Sequence, residues 1–451
     1  MPLLYLTAAL SLATQAADVS NLAARRPPAW VVNGVIYEIN PRTFSPAGNF
    51  AGITAKLDDL KQLGVTILWL MPIQPSGVLN KKGTYGSPYA VRDYDAINPD
   101  YGTAGDLKTL VREAHSRGFK VIIDIVPNHT AWDSVLMKHP EYYKRDANGH
   151  VLSPIPDWAD VAGLDYTNAK LREYMTGMLE RWLREFDLDG FRCDVAGMVP
   201  TDFWEQARPR LEDAKKDLFM LAEWDSPDLL VKAFDLDYAW PFHKTLTEVL
   251  QKGKPASAIR EVWETEKAKF PRGALHMVFS DNHDEKRAIA RFGEGGALAA
   301  SALVFSLEGV PMLYNGMEVG DTTESGAPAL FEKLPVFWAI GERRPEFHKT
   351  YETLIRLRAQ HPALRIGDMK WLTNDDEERV VSFVRRGEGE EVVSLVNLSN
   401  RPCKVRVTME SNQEFVDLVS GAKADTDGAQ FKNGAVELEA WGWRWFGRPT
   451  R

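Results

Sequence analysis

Cysteine is nearly absent from this chain, with only Cys193 and Cys403 among 451 residues. That excludes a disulfide framework and a thiolate metal cage. Cys193 sits inside an apolar run, where a small buried hydrophobe is expected rather than a reactive thiol. Basic charge is also in short supply: 54 Lys and Arg against 63 Asp and Glu leave a formal net charge of −9. A phosphate backbone needs the opposite sign, so nucleic acid is excluded as a partner. Internal repeats and low-complexity tracts are missing, and no apolar run approaches the roughly 20 residues of a membrane-spanning helix. The apolar stretch over 3–13, followed by small residues through Ala16 and Ala17, has the length of a signal-peptide core, although no Lys or Arg precedes it. The expectation is a leader over 1–17 and an exported, periplasmic or secreted protein with no transmembrane segment. The oligomeric state is not legible.

What is present is an alternation. Short β-rich runs cover 35–40, 65–71, 120–126, 190–195, 218–223, 234–238, 276–280 and 311–315. Helical periodicity fills the longer intervals, as over 54–63, 106–117 and 169–186. Strands alternating with helices over this span predict a (β/α)8 TIM barrel. An open doubly wound sheet is the second architecture, but no Gly-rich phosphate turn follows the first strand. Between 127 and 169 the rhythm breaks into a stretch rich in Pro, Trp, Tyr, His and Asp, a long third βα loop at the face where barrel active sites lie. After about 365, short alternating strands over 380–386, 391–398, 403–409, 414–417 and 435–439 read as a C-terminal antiparallel β domain. The predicted organisation is a barrel over 30–127 and 169–364, an inserted domain over 128–168, and a β-sandwich over 365–451.

Three of the predicted strands end in an acid. Asp194 closes Gly190-Phe191-Arg192-Cys193-Asp194, Glu223 follows Leu221-Ala222, and Asp284 ends Asp281-Asn282-His283-Asp284. An isolated Asp at a strand end is usually a cap or a turn residue. Three acids at the ends of neighbouring parallel strands converge on one volume, as glycoside hydrolysis requires. Arg192 lies two residues before Asp194, on the same face of the strand, where it favours the ionised carboxylate.

These motifs resemble the α-amylase superfamily, glycoside hydrolase family 13. Asp124-Ile125-Val126-Pro127-Asn128-His129 resembles its third-strand motif, and Gly190 to Asp194 the fourth. Ala222-Glu223-Trp224 resembles the fifth, and Asn282-His283-Asp284 the seventh. The runs from Val35 to Phe44 and from Gly309 to Glu318 resemble the first and eighth, all in the family's order. The resemblance implies that Asp194 is the nucleophile, Glu223 the general acid and base, and Asp284 a binder that distorts the sugar. It implies that Arg192, His129 and His283 position Asp194 and the sugar hydroxyls, and that Tyr89 stacks on the sugar. A retaining reaction with carboxyl groups about 5–5.5 Å apart follows from the nucleophile role. Trp224 adjoins Glu223 on the leaving-group side. Trp132, Trp158 and Trp240 are each expected as ordinary packing. The family often holds a structural Ca²⁺, and Asn128, Asp165 and the carbonyl of Met198 occupy matching places with hard oxygen donors. The alternative is that Asn128 and Asp165 only fasten the loop. Asn128-His129-Thr130 matches a glycosylation acceptor, set aside because Asn128 should face inward.

The choice among reactions is less defined. Gly86 stands where α-glucosidases of the family carry an Asp, and Gly197-Met198 where many α-amylases carry Lys-His. The expected substrate is an α-1,4-glucan or malto-oligosaccharide, with α-amylase action ahead of an α-glucosidase, a maltogenic or cyclodextrin-degrading enzyme, or a 4-α-glucanotransferase. A silent carbohydrate-binding barrel is the non-enzymatic alternative. The short third loop predicts a fairly open cleft.

Overall fold

Runs such as Ile67-Leu68-Trp69-Leu70 show no polar alternation, and such a strand needs both faces covered. The computed structural model, which describes residues 18–409, 415–420 and 435–450, provides that cover. The predicted leader over 1–17 lies outside the described residues. The strands are β1 (Ile36–Ile39), β2 (Ile67–Leu70), β3 (Lys120–Ile125), β4 (Gly190–Cys193), β5 (Phe219–Ala222), β6 (Asp237–Tyr238), β7 (His276–Val278) and β8 (Val310–Tyr314). They pair in parallel in the order β5-β4-β3-β2-β1-β8-β7-β6. A bridge from Leu221 to Leu236 joins β5 to the approach of β6 and closes the ring. The barrel expectation holds, and the open sheet, which would keep two free edges, does not.

Register carries the chemistry to one end. Asp124 lies beside Arg192 across β3 and β4, and Arg192 beside Leu221 across β4 and β5. Gly190 makes the second pairing possible: a Cβ there would stand 1.9 Å from the Phe219 carbonyl oxygen. Only glycine lets the two backbones approach that closely.

The outer helices follow their sequence signals. Ala169–Phe186 begins at Asn168, whose side chain accepts from the N–H of Lys170 and Leu171, and buries Leu171, Met175, Met178, Leu179, Trp182 and Leu183 on one stripe. Ala104–Ser116 starts with a capping box between Thr103 and Asp106. The single helix expected over 54–63 is instead two, Phe50–Thr54 and Leu57–Leu63, because Asn49 caps an earlier start. The apolar span Ala288–Ser306 passes a length-and-composition test for a membrane helix, but it is kinked at Gly293 (φ 74°). Ala299, Ala302, Leu303 and Phe305 on it are buried, so it is a core helix.

The inserted loop is small. His129–Ala131 pairs antiparallel with Val161–Gly163, and Asn128 at its root is buried. After the barrel, Asp368–Trp371, Val380–Gly387, Glu390–Asn397, Trp443–Pro449 and Val416–Asp417 form an antiparallel sheet in that order, with Cys403–Val405 and Val436–Leu438 paired beside it. The strand Trp443–Pro449 went unrecognised in the sequence because Gly447 and Pro449 read as turn residues. Buried Arg385 fastens this domain to the barrel by donating to the carbonyls of Ser306 and Leu307 at 3.1 and 2.7 Å. Both cysteines are free.

Candidate active site

Arg192 is the hub of the site. It is fully buried, with its guanidinium over the rings of Trp69, Tyr89 and Tyr238 at 5.2, 5.5 and 5.8 Å. Nη1 donates to both oxygens of Asp124 at 2.8 and 3.0 Å and to Asp194 Oδ1 at 3.1 Å, while Nε donates to the Tyr238 hydroxyl. Nη2 stands 2.9 Å from Glu223 Oε1, an ion-pair distance without hydrogen-bond alignment. A buried cation of this kind is stable only among several acceptors and anions.

Asp194 follows β4 directly, is buried, and keeps Oδ2 without a hydrogen-bond partner. Glu223 follows β5, and its Oε2 accepts from the Val195 N–H at 2.8 Å. Burial raises Asp194, Arg192 holds it back, and the outcome is about 6. Burial raises Glu223 further, against Arg192 and with the help of Asp194 and Asp284, to about 8. At neutral pH this order leaves one carboxylate ionised and the other protonated.

Asp284 is the exposed member, its side chain 40% accessible, with Oδ2 3.2 Å from His283 Nε2. His283 is buried between acids: its Nδ1 meets Glu38 Oε1, and its Nε2 lies 2.7 Å from the Tyr89 hydroxyl. Burial disfavours its cation, but Asp284 and Glu38 prevail and push it up to about 9. Tyr89 stacks on the His283 ring at 5.2 Å and donates to Asp124 Oδ2 at 3.1 Å. His129 stands 4.0 Å from Asp194 Oδ2, and burial lowers it to about 4, so it is neutral. The structure therefore gathers Asp194, Glu223, Asp284, Tyr89, His129, Arg192 and His283 around one volume.

Trp224 follows Glu223 and packs on Gly197, where a Cβ would stand 2.3 Å from the indole. Trp158 meets the His129 ring edge at 5.4 Å, Trp132 donates to the Ala159 carbonyl, and Trp240 stacks on Tyr238. Sequence reasoning missed Asp124 and Glu38 as site residues. Each is a lone acid inside an apolar strand, and a carboxylate there needs a partner, which was the available signal.

The residues expected to hold Ca²⁺ make protein contacts of their own. Asn128 Nδ2 lies 3.2 Å from His129 Nδ1 and 4.0 Å from the Met198 sulfur, so a soft thioether faces the amide. Asp165 Oδ1 already accepts from the Thr167 N–H and hydroxyl at 3.0 and 2.8 Å. These contacts fasten the root of the insertion, the alternative role expected for Asn128 and Asp165. Among the described residues no group of three or more His, Cys, Asp or Glu could hold a metal ion. A separate cavity of about 740 Å³, lined in part by Trp263, Phe270 and His276, contains none of the three acids.

Comparison with known proteins gives a consistent picture. The α-amylase catalytic domain model matches residues 20–149 and 156–371, and the C-terminal immunoglobulin-like domain of D-apionate lactonase matches 377–446. Alpha-amylase MalA of Haloarcula japonica is 29% identical over 425 residues, covering 89% of this chain and 61% of MalA. The chain thus spans about three fifths of that relative. A cyclomaltodextrinase of a Bacillus species is 27% identical, covering 82% of this chain and 74% of its own. Among solved structures, a noncanonic maltogenic α-amylase, AmyB from Thermotoga neapolitana, superimposes with a TM-score of 0.85 at 30% identity, covering 93% of this chain and 100% of AmyB.

Proposed function

Because the chain belongs to the α-amylase family, we propose that it is a retaining glycoside hydrolase acting on α-1,4-glucosidic bonds of starch-type glucans and malto-oligosaccharides. One observation carries this reading. A single buried guanidinium faces both Asp194 and Glu223, and the N–H next to Asp194 is bonded to Glu223. Carboxyls tethered in this way face one reacting volume, an arrangement that supports the retaining reaction.

In the first step Asp194 Oδ2 attacks the anomeric carbon as the bond to the leaving oxygen breaks, forming a covalent β-glycosyl ester. Glu223 gives its proton to that oxygen. In the second step Glu223, now ionised, takes a proton from water, whose oxygen attacks the same carbon and frees Asp194. The product keeps the α configuration. Tyr89 offers a ring face to the sugar bound there, and Asp284 and His283 offer an acceptor and a cationic donor to adjacent hydroxyls. Trp224 meets the leaving portion. Similarity to proteins named a cyclomaltodextrinase and a maltogenic α-amylase supports including cyclic maltodextrins in the proposed substrate range. The apolar stretch over 3–13 supports export as a further part of the proposal, tested by the N-terminal residue of the mature protein.

Asp194→Ala is expected to abolish turnover of maltotriose and starch, and retained hydrolysis overturns the nucleophile assignment. Proton NMR of fresh product should show the α anomer first.

A further inference from the structure

The leaving group lies where Glu223 delivers its proton, so the non-reducing portion of a bound glucan extends the other way, past Tyr89 and His283. On that side the barrel-top loops are fastened to one another. The Tyr85 N–H donates to the Phe331 carbonyl at 3.0 Å, and the Thr84 N–H to Glu332 Oε1 at 2.9 Å. Buried Arg42 clamps both loops from beneath, donating to the carbonyls of Gly86 and Leu330 at 3.1 Å each. Its guanidinium also lies 5.5 Å from the Tyr85 ring centre.

The same arc continues in both directions. Toward the insertion, Lys82 Nζ stands 2.8 Å from Asp160 Oδ1 and 6.0 Å from the Phe331 ring centre, and the Val78 N–H donates to the Asp133 carboxylate. Toward Asp284, the Ser325 hydroxyl donates to the Glu285 carbonyl at 2.9 Å, and Gly326 packs against the Asp284 carbonyl. The insertion, the loop after β2, the loop after β8 and the loop after β7 therefore form one wall. The short insertion is tied to its neighbours through Lys82 rather than standing free. Beyond Glu223 the arrangement differs: Gly197 contributes no side chain to the passage, and Trp224 lies back against it.

We infer that the site is a pocket closed at its non-reducing end and open past Glu223, so that the enzyme removes short units from the non-reducing ends of α-glucans. This inference rests on the hydrolase reading and adds the mode of attack. A chain end fits into a walled pocket, while an interior bond would need glucose units threaded through the wall. The steric selection is of the kind that rejects a substrate by clash rather than by weaker attraction.

The test compares maltoheptaose with the same oligosaccharide carrying a 4,6-acetal on its non-reducing glucose. The blocked substrate should be cleaved at least about tenfold more slowly in kcat/KM, and equal rates overturn the inference. Cleavage of neither substrate overturns the hydrolase reading, and this inference falls with it. The double variant Lys82→Ala, Glu332→Ala should raise the blocked-to-free rate ratio several-fold, and an unchanged ratio shows that these contacts do not form the wall. The first products from free maltoheptaose should be a short sugar and its long complement, and a spread of mid-length products counts against the closed pocket.

Discussion

The backbone N–H of Val195, in the left-handed region at φ +39°, donates to Glu223 Oε2 at 2.8 Å. A β-branched residue in that region is strained by about 1–2 kcal/mol. The strain turns the chain immediately after Asp194 so that one carboxyl is held by the backbone of the other.

Replacing Val195 with Gly removes the strain but adds unfolded-state entropy of about 0.5–1 kcal/mol. The two effects nearly offset, so Tm should change little, while the loosened turn should lower kcat about tenfold through misplacement of Glu223. Calorimetry with steady-state kinetics separates the two. A large loss of Tm with full specific activity counts against a positioning role.

The two acids set a pH window. As pH falls through about 6, Asp194 takes up a proton and stops being a nucleophile. As pH rises through about 8, Glu223 ionises and can no longer protonate the leaving oxygen. A bell-shaped kcat/KM profile with its maximum near pH 7 follows, its limbs belonging to the pair rather than to either residue. With an activated aryl glycoside whose leaving group needs no proton, Glu223→Gln should abolish the alkaline limb of kcat/KM, and a limb that persists there assigns it elsewhere.

The Glu38–His283 contact gives a stability signal. His283 is raised to about 9 in the folded protein, above an unfolded value of about 6.5. Its contribution is therefore fully present below pH 6.5 and lost as pH rises through about 9. Glu38→Gln should cost about 1–3 kcal/mol at pH 6 and flatten this alkaline loss. Urea denaturation at pH 6 and pH 9 measures both, and an unchanged pH dependence sinks the ion-pair account.

On the reading in which Asn128 and Asp165 only fasten the loop, calcium removal should have no structural effect. Dialysis against EDTA should shift Tm by less than about 1 °C, since only a ligand bound to the native state contributes to its stability. A drop of several degrees that calcium restores would assign that corner an oxygen cage.

The acids themselves were legible because each ends an apolar run whose length and composition already mark a strand. The helix Ala169–Phe186 was legible to the residue, since Asn168 and an uninterrupted stripe define both its ends. Trp443–Pro449 was not, because a central strand containing Gly447 and Pro449 is stable only through the partners on either side of it. Glu38 and Asp124 were harder to place, since the meaning of a buried acid depends on which cation faces it.

Local chemistry along the chain determined where strands and helices lie, which carboxylates reach the barrel mouth, and which family of reactions they serve. Short-range forces suffice there, as hydrophobic period and capping act within a few residues. Tertiary structure alone decided the unequal proton affinities of Asp194 and Glu223, the contacts that hold Asn128 and Asp165, and those that join Lys82, Tyr85, Phe331 and Asp160. Those depend on burial and on distances between residues far apart in sequence, and such distances are fixed only when the barrel closes.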